Sequence, residues 1–294
     1  MATCKPACLA IASSLLAGAC GLWDSSAEPE IDAGDSWSST DGGLGDAATP
    51  RDGASVPPDA APLSELPARV RDTIRSDDYT RLVLEVDVVE GMAPRDGVEA
   101  QIASLFGDVL DKPDGVEVIR DDVLEPRGSD HAWSFEELRD LAEQTFDLEV
   151  DEQTTVLHNL WVDGHSESDS AQGVILGLQF GRHIVMFKET IDDVCTRASL
   201  PLNREQACRR TERGIWIHEI GHAIGLVDNG LPMVEDHKDP ERGAHSHNED
   251  CIMYWAYTGE ALADRVVDAI LGEQPELGFD EYCLNDIAAV RDAE

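Results

Sequence analysis

The stretch from Asn203 to Leu226 constrains the fold most, because it has the pattern of one long amphipathic helix. Ile217, Ile220 and Ile224 recur at helical spacing, so they predict one apolar face. Gly225 stands near the expected end, where a residue without a Cβ allows the turn that ends many helices. The sequence therefore predicts a long helix whose apolar face packs on a sheet.

The residues before this helix alternate between strand-like and helix-like patterns. β-Rich apolar runs predict five strands, at residues 82–89, 116–119, 154–162, 174–180 and 184–187. Helical spacing predicts one helix over residues 97–110, and Gly181-Arg182 suits a tight hairpin between the last two strands. Strands interleaved with helices predict an α+β (mixed α/β) fold, with a mixed sheet covered by helices in one domain.

Two helix starts are predicted from capping residues. Ser134 with Glu137 has the spacing of a capping box, for a helix that runs to about residue 146. Asn203 with Gln206 has the same spacing at the start of the long helix. In both cases the side chains are expected to bond to backbone groups of the first turn.

The other face of the long helix carries His218, Glu219 and His222. One helical turn separates the two histidines, so both imidazoles project from one face and can bind one metal ion. Glu219 points about 100° around the helix, where it reaches a metal-bound water rather than the metal. Two nitrogen ligands, one further ligand and an open water position form the hydrolytic arrangement of zinc. The pattern predicts a Zn2+ cofactor, with Glu219 as the catalytic general base and acid.

The residues after the second histidine extend this pattern. Gly225 and Asp228 follow His222 at intervals of three residues, and a turn at the glycine brings the later residue back toward the metal. Further along the chain, residues 251–254 read Cys-Ile-Met-Tyr. Together, these segments resemble the extended zinc motif and the Met-turn of the metzincin metalloproteases, and the resemblance covers about residues 79–294.

This resemblance implies a metzincin-like catalytic domain at residues 67–294. Its fold would be a twisted, mostly parallel five-stranded sheet with a long active-site helix. The resemblance makes Met253 the methionine beneath the metal site, and it makes Asp228 the third metal ligand. The implied activity is that of a zinc-dependent endopeptidase, and the implied partner is a peptide or protein substrate.

The third zinc ligand has alternatives in the sequence. Most metzincins carry histidine where this chain has Asp228, and a carboxylate oxygen also binds zinc. The aspartate is followed by Asn-Gly, a good turn sequence, so it has a competing structural role. In that case the ligand would come from His237, His245 or His247, which lie on the polar loop at residues 231–250.

Other functions fit the same residues. A non-catalytic surface lipoprotein could bind a metal or another ligand on this fold, and a zinc hydrolase could act on something other than peptides, because the motif does not fix the substrate. For the peptidase, residues 178–187 are predicted to supply a strand that binds an extended peptide by edge pairing. The cleavage preference and the oligomeric state stay open.

The charge balance excludes one large class of partners. The 294 residues include 60 acidic and 22 basic side chains, which gives a formal net charge of −38 at pH 7. A nucleic-acid binder needs clustered lysine and arginine, so no binding to nucleic acid is predicted. The acidic residues are interpreted as a solvated surface. The sequence has no twelve-residue calcium loop, and calcium binding stays open.

The N-terminal residues predict export. Residues 1–23 have the pattern of an export signal, with Lys5 before an apolar stretch that is too short to span a membrane. Cys20 resembles the acceptor of a bacterial lipoprotein signal, which implies membrane attachment through this residue, and free secretion is the alternative. Residues 24–66 are rich in Ser, Gly, Ala, Pro and Asp, so they are predicted to be a disordered acidic linker. The predicted location is the periplasm or cell surface, or the medium.

Four cysteines lie beyond the leader, and an even number in an exported chain predicts two disulfides. Three pairings exist, and the sequence does not choose among them. The preferred pairing joins Cys195 to Cys208 at the start of the long helix, and Cys251 to Cys283 in the C-terminal segment.

Overall fold

The computed structural model describes residues 63–171, 173–272, 275 and 277–293. The predicted leader at residues 1–23 and residues 24–62 of the predicted linker lie outside this part. Residues 63–65 form a 3-10 turn and Leu66 is buried, so the folded part includes the end of the predicted linker. Among the described helices, none has both the length and the apolar character needed to cross a bilayer.

Helices and strands alternate along most of the described chain. The helices are α1 (Ala68–Ile74), α2 (Val98–Val109), α3 (Phe135–Thr145), α4 (Lys188–Ala198), α5 (Arg204–Ala223), α6 (Ala261–Leu271) and α7 (Glu281–Arg291). The strands are β1 (Arg81–Val89), β2 (Val116–Leu124), β3 (Ala132–Trp133), β4 (Thr154–Val162), β5 (His165–Ser166), β6 (Gly177–Phe180) and β7 (His183–Phe187). The short strands β3 and β5 pair with each other, and the other five form the main sheet.

The main sheet has the strand order β2-β1-β4-β7-β6. Its first four strands are parallel, and β6 pairs antiparallel with β7 at one edge. Parallel strands need crossover connections: α2 lies in the one from β1 to β2, and α3 lies in the one from β2 to β4, which is on the other side of β1. The predicted α+β class, the mostly parallel five-stranded sheet and the tight hairpin are therefore confirmed.

The strand bounds differ from the predicted ones mainly at the edges of the sheet. β2 continues five residues beyond its predicted end at residue 119, to Leu124. Because β2 is an edge strand, its later residues, such as Arg120 and Asp121, face solvent and carry no apolar pattern. At the other edge, β6 begins at Gly177 rather than at residue 174.

Two apolar cores lie on the two faces of the sheet. Leu82 and Leu84 of β1 belong to the larger core, together with Ile217, Ile220 and Ile224 around α5. Alternate residues of a strand point to opposite faces, and α3 covers the smaller core on the other face. The predicted apolar side of the long helix is therefore buried against the sheet.

The two predicted helix caps have different outcomes. Ser134 and Glu137 form the reciprocal capping box of α3, as predicted. Asn203 makes no side-chain cap bond to α5, so that predicted cap is wrong. The backbone of Asn203, at φ −114° and ψ 3°, is outside the extended region from which a capping side chain reaches the first turn.

The turn after α5 requires glycine. Gly225 has a φ of +92°, and a Cβ at this position would lie 2.9 Å from the backbone nitrogen of Leu231. Residues with a Cβ disfavour this conformation, and the added atom would also be too close to the following backbone. The helix ends at Ala223, three residues before the predicted end at Leu226.

One of the two preferred disulfides is formed. Cys195 of α4 is bonded to Cys208 of α5, which ties the two helices together. Cys251 and Cys283 are buried thiols whose sulfur atoms lie 3.6 Å apart. This separation is well beyond an S–S bond of about 2.05 Å. The second predicted disulfide is therefore not formed in this structure, although its cysteines are neighbours.

Candidate metal centre

Helix α5 brings the two motif histidines together. His218 and His222 lie one turn apart, with ring centroids 4.7 Å apart and Nε2 atoms 3.1 Å apart. His218 is fully buried, and His222 is partly buried. Two ring nitrogens at this spacing can bind the same ion.

A hydrogen bond orients the first of these imidazoles. His218 Nδ1 donates to the carbonyl oxygen of Ile252, at 2.7 Å. Because a carbonyl oxygen only accepts, the proton of the neutral ring is on Nδ1 and the lone pair is on Nε2. The residue before Met253 therefore holds the ring in the tautomer that a metal ligand needs.

A third imidazole completes the cluster. The ring centroid of His245 lies 5.3 Å from that of His218 and 4.8 Å from that of His222. One ligand nitrogen of each histidine lies within 4.8 Å of the other two. His245 Nδ1 donates to the carbonyl oxygen of Arg242 at 2.6 Å, so this ring is also oriented through Nδ1.

Backbone hydrogen bonds hold His245 in position. Asp239 N donates to the carbonyl oxygen of His245 at 2.8 Å, so the two arms of the loop at residues 231–250 are bonded to each other. Ser246 N donates to the carbonyl oxygen of Met253, also at 2.8 Å. The loop is therefore attached to the predicted Met-turn next to the histidine that it presents.

Asp228 lies outside this cluster. Its carboxylate is 57% exposed and accepts a hydrogen bond from Lys238 Nζ at 2.9 Å. Val227 and Asp228 have positive φ angles, 55° and 62°, which are uncommon for residues other than glycine. This tight turn does not bring Asp228 to the two histidines of α5, and it links the aspartate to the loop that carries His245.

The other sequence alternatives for the third ligand lie elsewhere. His237 is fully buried, and its Nε2 lies 2.9 Å from Asp286 Oδ2. Together with Asp280 and Cys283, His237 belongs to a separate group of side chains of metal-ligating type. His247 belongs to neither group among the described residues.

Glu219 is almost completely buried on the same turn of α5. Its exposed fraction is 2%, and this burial raises the pKa of the carboxyl to about 8. A carboxyl with such a pKa exchanges a proton near neutral pH, as a general base and acid must. The carboxylate lies against β6, because a Cβ on Gly177 would be 2.8 Å from Glu219 Cγ. The edge strand of the sheet and the candidate proton carrier are therefore in contact.

Burial acts on the imidazoles in the opposite direction. Burial, and then the nearby His245, lower the pKa of His218 to about 3, although the hydrogen bond to Ile252 acts against this. Burial and the two neighbouring imidazoles also hold the pKa of His222 well below its ordinary value. Both rings are therefore neutral at pH 7, which is the form that binds metal.

Met253 lies beneath this part of α5. A Cβ on Gly221 would overlap the Met253 sulfur and would lie 3.3 Å from a ring carbon of Phe279. Glycine at position 221 therefore lets the Met253 side chain approach the helix between the two histidines. Met253 is fully buried, and its role as a Met-turn methionine stays a prediction.

Comparison with known proteins gives one similar structure. No protein-family model matches the sequence. No curated protein matches it either. Among solved structures, archaemetzincin from Methanopyrus kandleri is similar, with 15% sequence identity and a TM-score of 0.45, over 72% of this chain and 96% of that chain.

Sequence reasoning left His245 as one of several alternatives. His245 comes 23 residues after His222, and no helical or turn spacing predicts a contact across such a separation. A usable signal was its place six residues before Cys251, where the predicted Met-turn begins. This closeness to the turn expected beneath the metal favours His245 and His247 over His237, but it does not choose between the first two.

Proposed function

We propose that the protein is a zinc-dependent endopeptidase of metzincin type, in which His218, His222 and His245 hold the metal. The observation that carries this proposal is the convergence of three imidazoles next to the buried carboxylate of Glu219. Three protein ligands with an open fourth position are the usual arrangement of a catalytic zinc site. The proposed activity is the hydrolysis of peptide bonds, with a peptide or protein as substrate.

The three imidazoles fit a zinc ion. With zinc–nitrogen bonds of about 2.0–2.1 Å, two ligand nitrogens of a tetrahedral site lie about 3.3–3.4 Å apart. The 3.1 Å between the Nε2 atoms of His218 and His222 is close to this value. A bound zinc ion supplies a Lewis acid, which polarises a carbonyl group and makes water more acidic.

Glu219 carries the proton in this proposal. Its carboxylate accepts a proton from the attacking water and returns it to the amine that leaves. Burial raises the pKa of this carboxyl in the metal-free protein, and a cation bound nearby would lower it, toward the ionised form that accepts the proton.

The edge strand β6 is the proposed binding surface for an extended peptide. β6 is the last strand of the sheet, so the backbone groups on its outer side are not used by another strand of the sheet. Gly177 of β6 touches the side chain of Glu219. A peptide that pairs with this strand would therefore have its backbone close to the proton carrier.

We also propose that the protein is exported and anchored to a membrane through lipidation of Cys20. The support is the leader pattern at residues 1–23 and the small residues before the cysteine. Labelling of cells with a radioactive fatty acid would test this anchor. A labelled wild type and an unlabelled Cys20→Ser variant are expected, whereas an unlabelled wild type would favour free secretion.

The first experiment tests whether the protein is an enzyme. Elemental analysis should find one zinc ion per chain, and hydrolysis of an unfolded generic protein should be lost on chelation and restored by zinc. Glu219→Gln should keep the zinc and lower kcat by about 10²–10⁴-fold. Full activity of this variant would refute its role, and bound zinc without any peptide hydrolysis would favour a metal-binding protein without catalytic activity.

The second experiment identifies the third ligand. Removing a direct ligand with His245→Ala should weaken zinc binding by more than the roughly 10–100-fold typical of an outer-shell change. Asp228→Ala removes only the contact with Lys238, so it should stay within that smaller range. Competition with a chelator measures both affinities. Loss of zinc in the Asp228 variant alone would contradict the proposed ligand set.

A further inference from the structure

Three carboxylates meet on the side of the sheet that α3 covers, away from the candidate zinc site. Glu85 comes from β1, Asp121 from β2, and Asp147 from the segment after α3. One carboxylate oxygen of each lies within 4.8 Å of those of the other two. Calcium–oxygen distances are about 2.4 Å, so two oxygens on opposite sides of one calcium ion are about 4.8 Å apart. The three carboxylates can therefore reach a single ion.

Glu85 is the buried member of this group, and one of its oxygens has no partner. The side chain is fully buried in the middle of β1. Its Oε1 accepts hydrogen bonds from the backbone nitrogens of Asp147 and Leu148, at 3.2 and 3.1 Å. Its Oε2 has no hydrogen-bond partner among the residues that the structure describes. A buried carboxylate oxygen is costly without a donor or a cation, so this atom requires an explanation.

The surroundings of the group are negative. Within the described chain, no lysine or arginine forms a salt bridge with any of the three carboxylates. Burial, and then the charges of Asp87, Asp122 and Asp147, raise the pKa of Asp121. The nearby imidazole of His158 is 2.8 Å from Asp87, so it is already engaged with a different carboxylate. An external cation would balance the charge that these side chains leave uncompensated.

We infer that Glu85, Asp121 and Asp147 bind a calcium ion. Asp121 and Asp147 are exposed, so water molecules can complete the shell of six to eight oxygens that calcium takes. Magnesium requires shorter bonds of about 2.0–2.1 Å and near-octahedral geometry, which suits this spread-out group less well. The ion would join β1, the edge strand β2 and the segment after α3. This inference does not depend on the proposed peptidase activity.

Calcium titration of the zinc-loaded full chain tests the inference. We expect calorimetry to find one calcium ion per chain. With a dissociation constant of about 0.1–1 mM, typical of extracellular sites, 10 mM calcium should raise the melting temperature by about 3–10 °C. Sodium chloride at the same ionic strength and magnesium at 10 mM are the controls, and both should give a clearly smaller shift.

Charge-matched variants distinguish calcium binding at this site from general screening of the negative surface charge. Asp121→Asn should weaken calcium binding at least tenfold, whereas Asp122→Asn, which removes the same charge at the next residue, should not. Asp121 is exposed, so its variant is expected to fold even where Glu85→Gln does not. The inference is overturned if no calcium binds at 10 mM, or if sodium chloride raises the melting temperature as much as calcium does. It is also overturned if both aspartate variants lose the same calcium affinity. A larger shift with magnesium than with calcium would also overturn it.

Discussion

Replacement of Glu219 by glutamine should change how the stability of the metal-free protein depends on pH. Glutamine keeps the shape of the side chain and removes the ionisable group. In the folded wild type, burial holds the pKa of Glu219 at about 8, whereas its ordinary value is 4.5. The folded wild-type protein therefore keeps this proton up to a higher pH than the unfolded chain does.

The size of the effect follows from this pKa difference. Because the folded state binds the proton more tightly, the contribution of Glu219 is fully present below pH 4.5 and is lost as the pH rises to about 8. A difference of one in pKa corresponds to about 1.4 kcal/mol, so the difference of about 3.5 between 4.5 and about 8 corresponds to about 5 kcal/mol. The histidines of the site titrate in both proteins, so their contribution cancels in the comparison.

Urea unfolding at pH 5.5 and pH 8, with a chelator present, measures this difference. The lower pH stays above the sequence pI of about 4.3, near which solubility is poor. Relative to wild type, Glu219→Gln should gain about 3 kcal/mol of stability between these two values. The exposed Glu117→Gln is the matched control, and its difference from wild type should hardly change. If the free energy of unfolding of Glu219→Gln differs from that of wild type by the same amount at both pH values, burial does not raise the pKa of Glu219. That result would contradict the prediction.

Of three further predictions, two concern the close packing around the site and one concerns the disulfide. Gly221→Ala should lower the free energy of unfolding by about 1–3 kcal/mol in urea, because the added methyl group would overlap the Met253 sulfur. The control is Gly107→Ala, which should be neutral or stabilising, because nothing lies within 4 Å of the new Cβ. Gly177→Ala should lower kcat and leave the zinc content unchanged, because the new atom would displace the side chain of Glu219, and unaltered kinetics would argue against the placement of that carboxylate. Reduction of the disulfide between α4 and α5, whose cysteines are 13 residues apart, should cost about 2–4 kcal/mol in urea unfolding, and an unchanged midpoint would contradict this estimate.

The sheet could be predicted from the sequence because its inner strands are buried on both faces. β1 and β4 therefore carry apolar residues on both faces, interrupted by Glu85 and Asp87 in β1 and by His158 and Asn159 in β4. The helix α4 was not predicted, because it follows β7 without a break and carries few apolar residues. The residue before it, Phe187, makes no side-chain cap bond, and the apolar contacts of α4 with the larger core come from Ile191, Val194 and Ala198. Tertiary packing rather than a local signal explains this helix.

The candidate site also has residues that the sequence predicts and residues that it does not. His218, Glu219 and His222 could be predicted because a helix fixes the relative positions of residues one turn apart. The position of His245 depends on where a loop folds back, which no local rule determines. Asp228 has the expected spacing, but the left-handed backbone at this residue directs the chain into a turn and its carboxylate to Lys238.

The division of the proposed ligands between α5 and a distant loop has a consequence for metal uptake. A chain that ended at Ala223 would carry only two of the three imidazoles. Full affinity for zinc would therefore appear only after the loop at residues 231–250 has docked, so part of the binding energy would be used to assemble the part of the protein that follows α5. The holoprotein would then resist proteolytic nicking in this loop better than the apoprotein, and zinc retention would report on whether the chain has completed its tertiary structure.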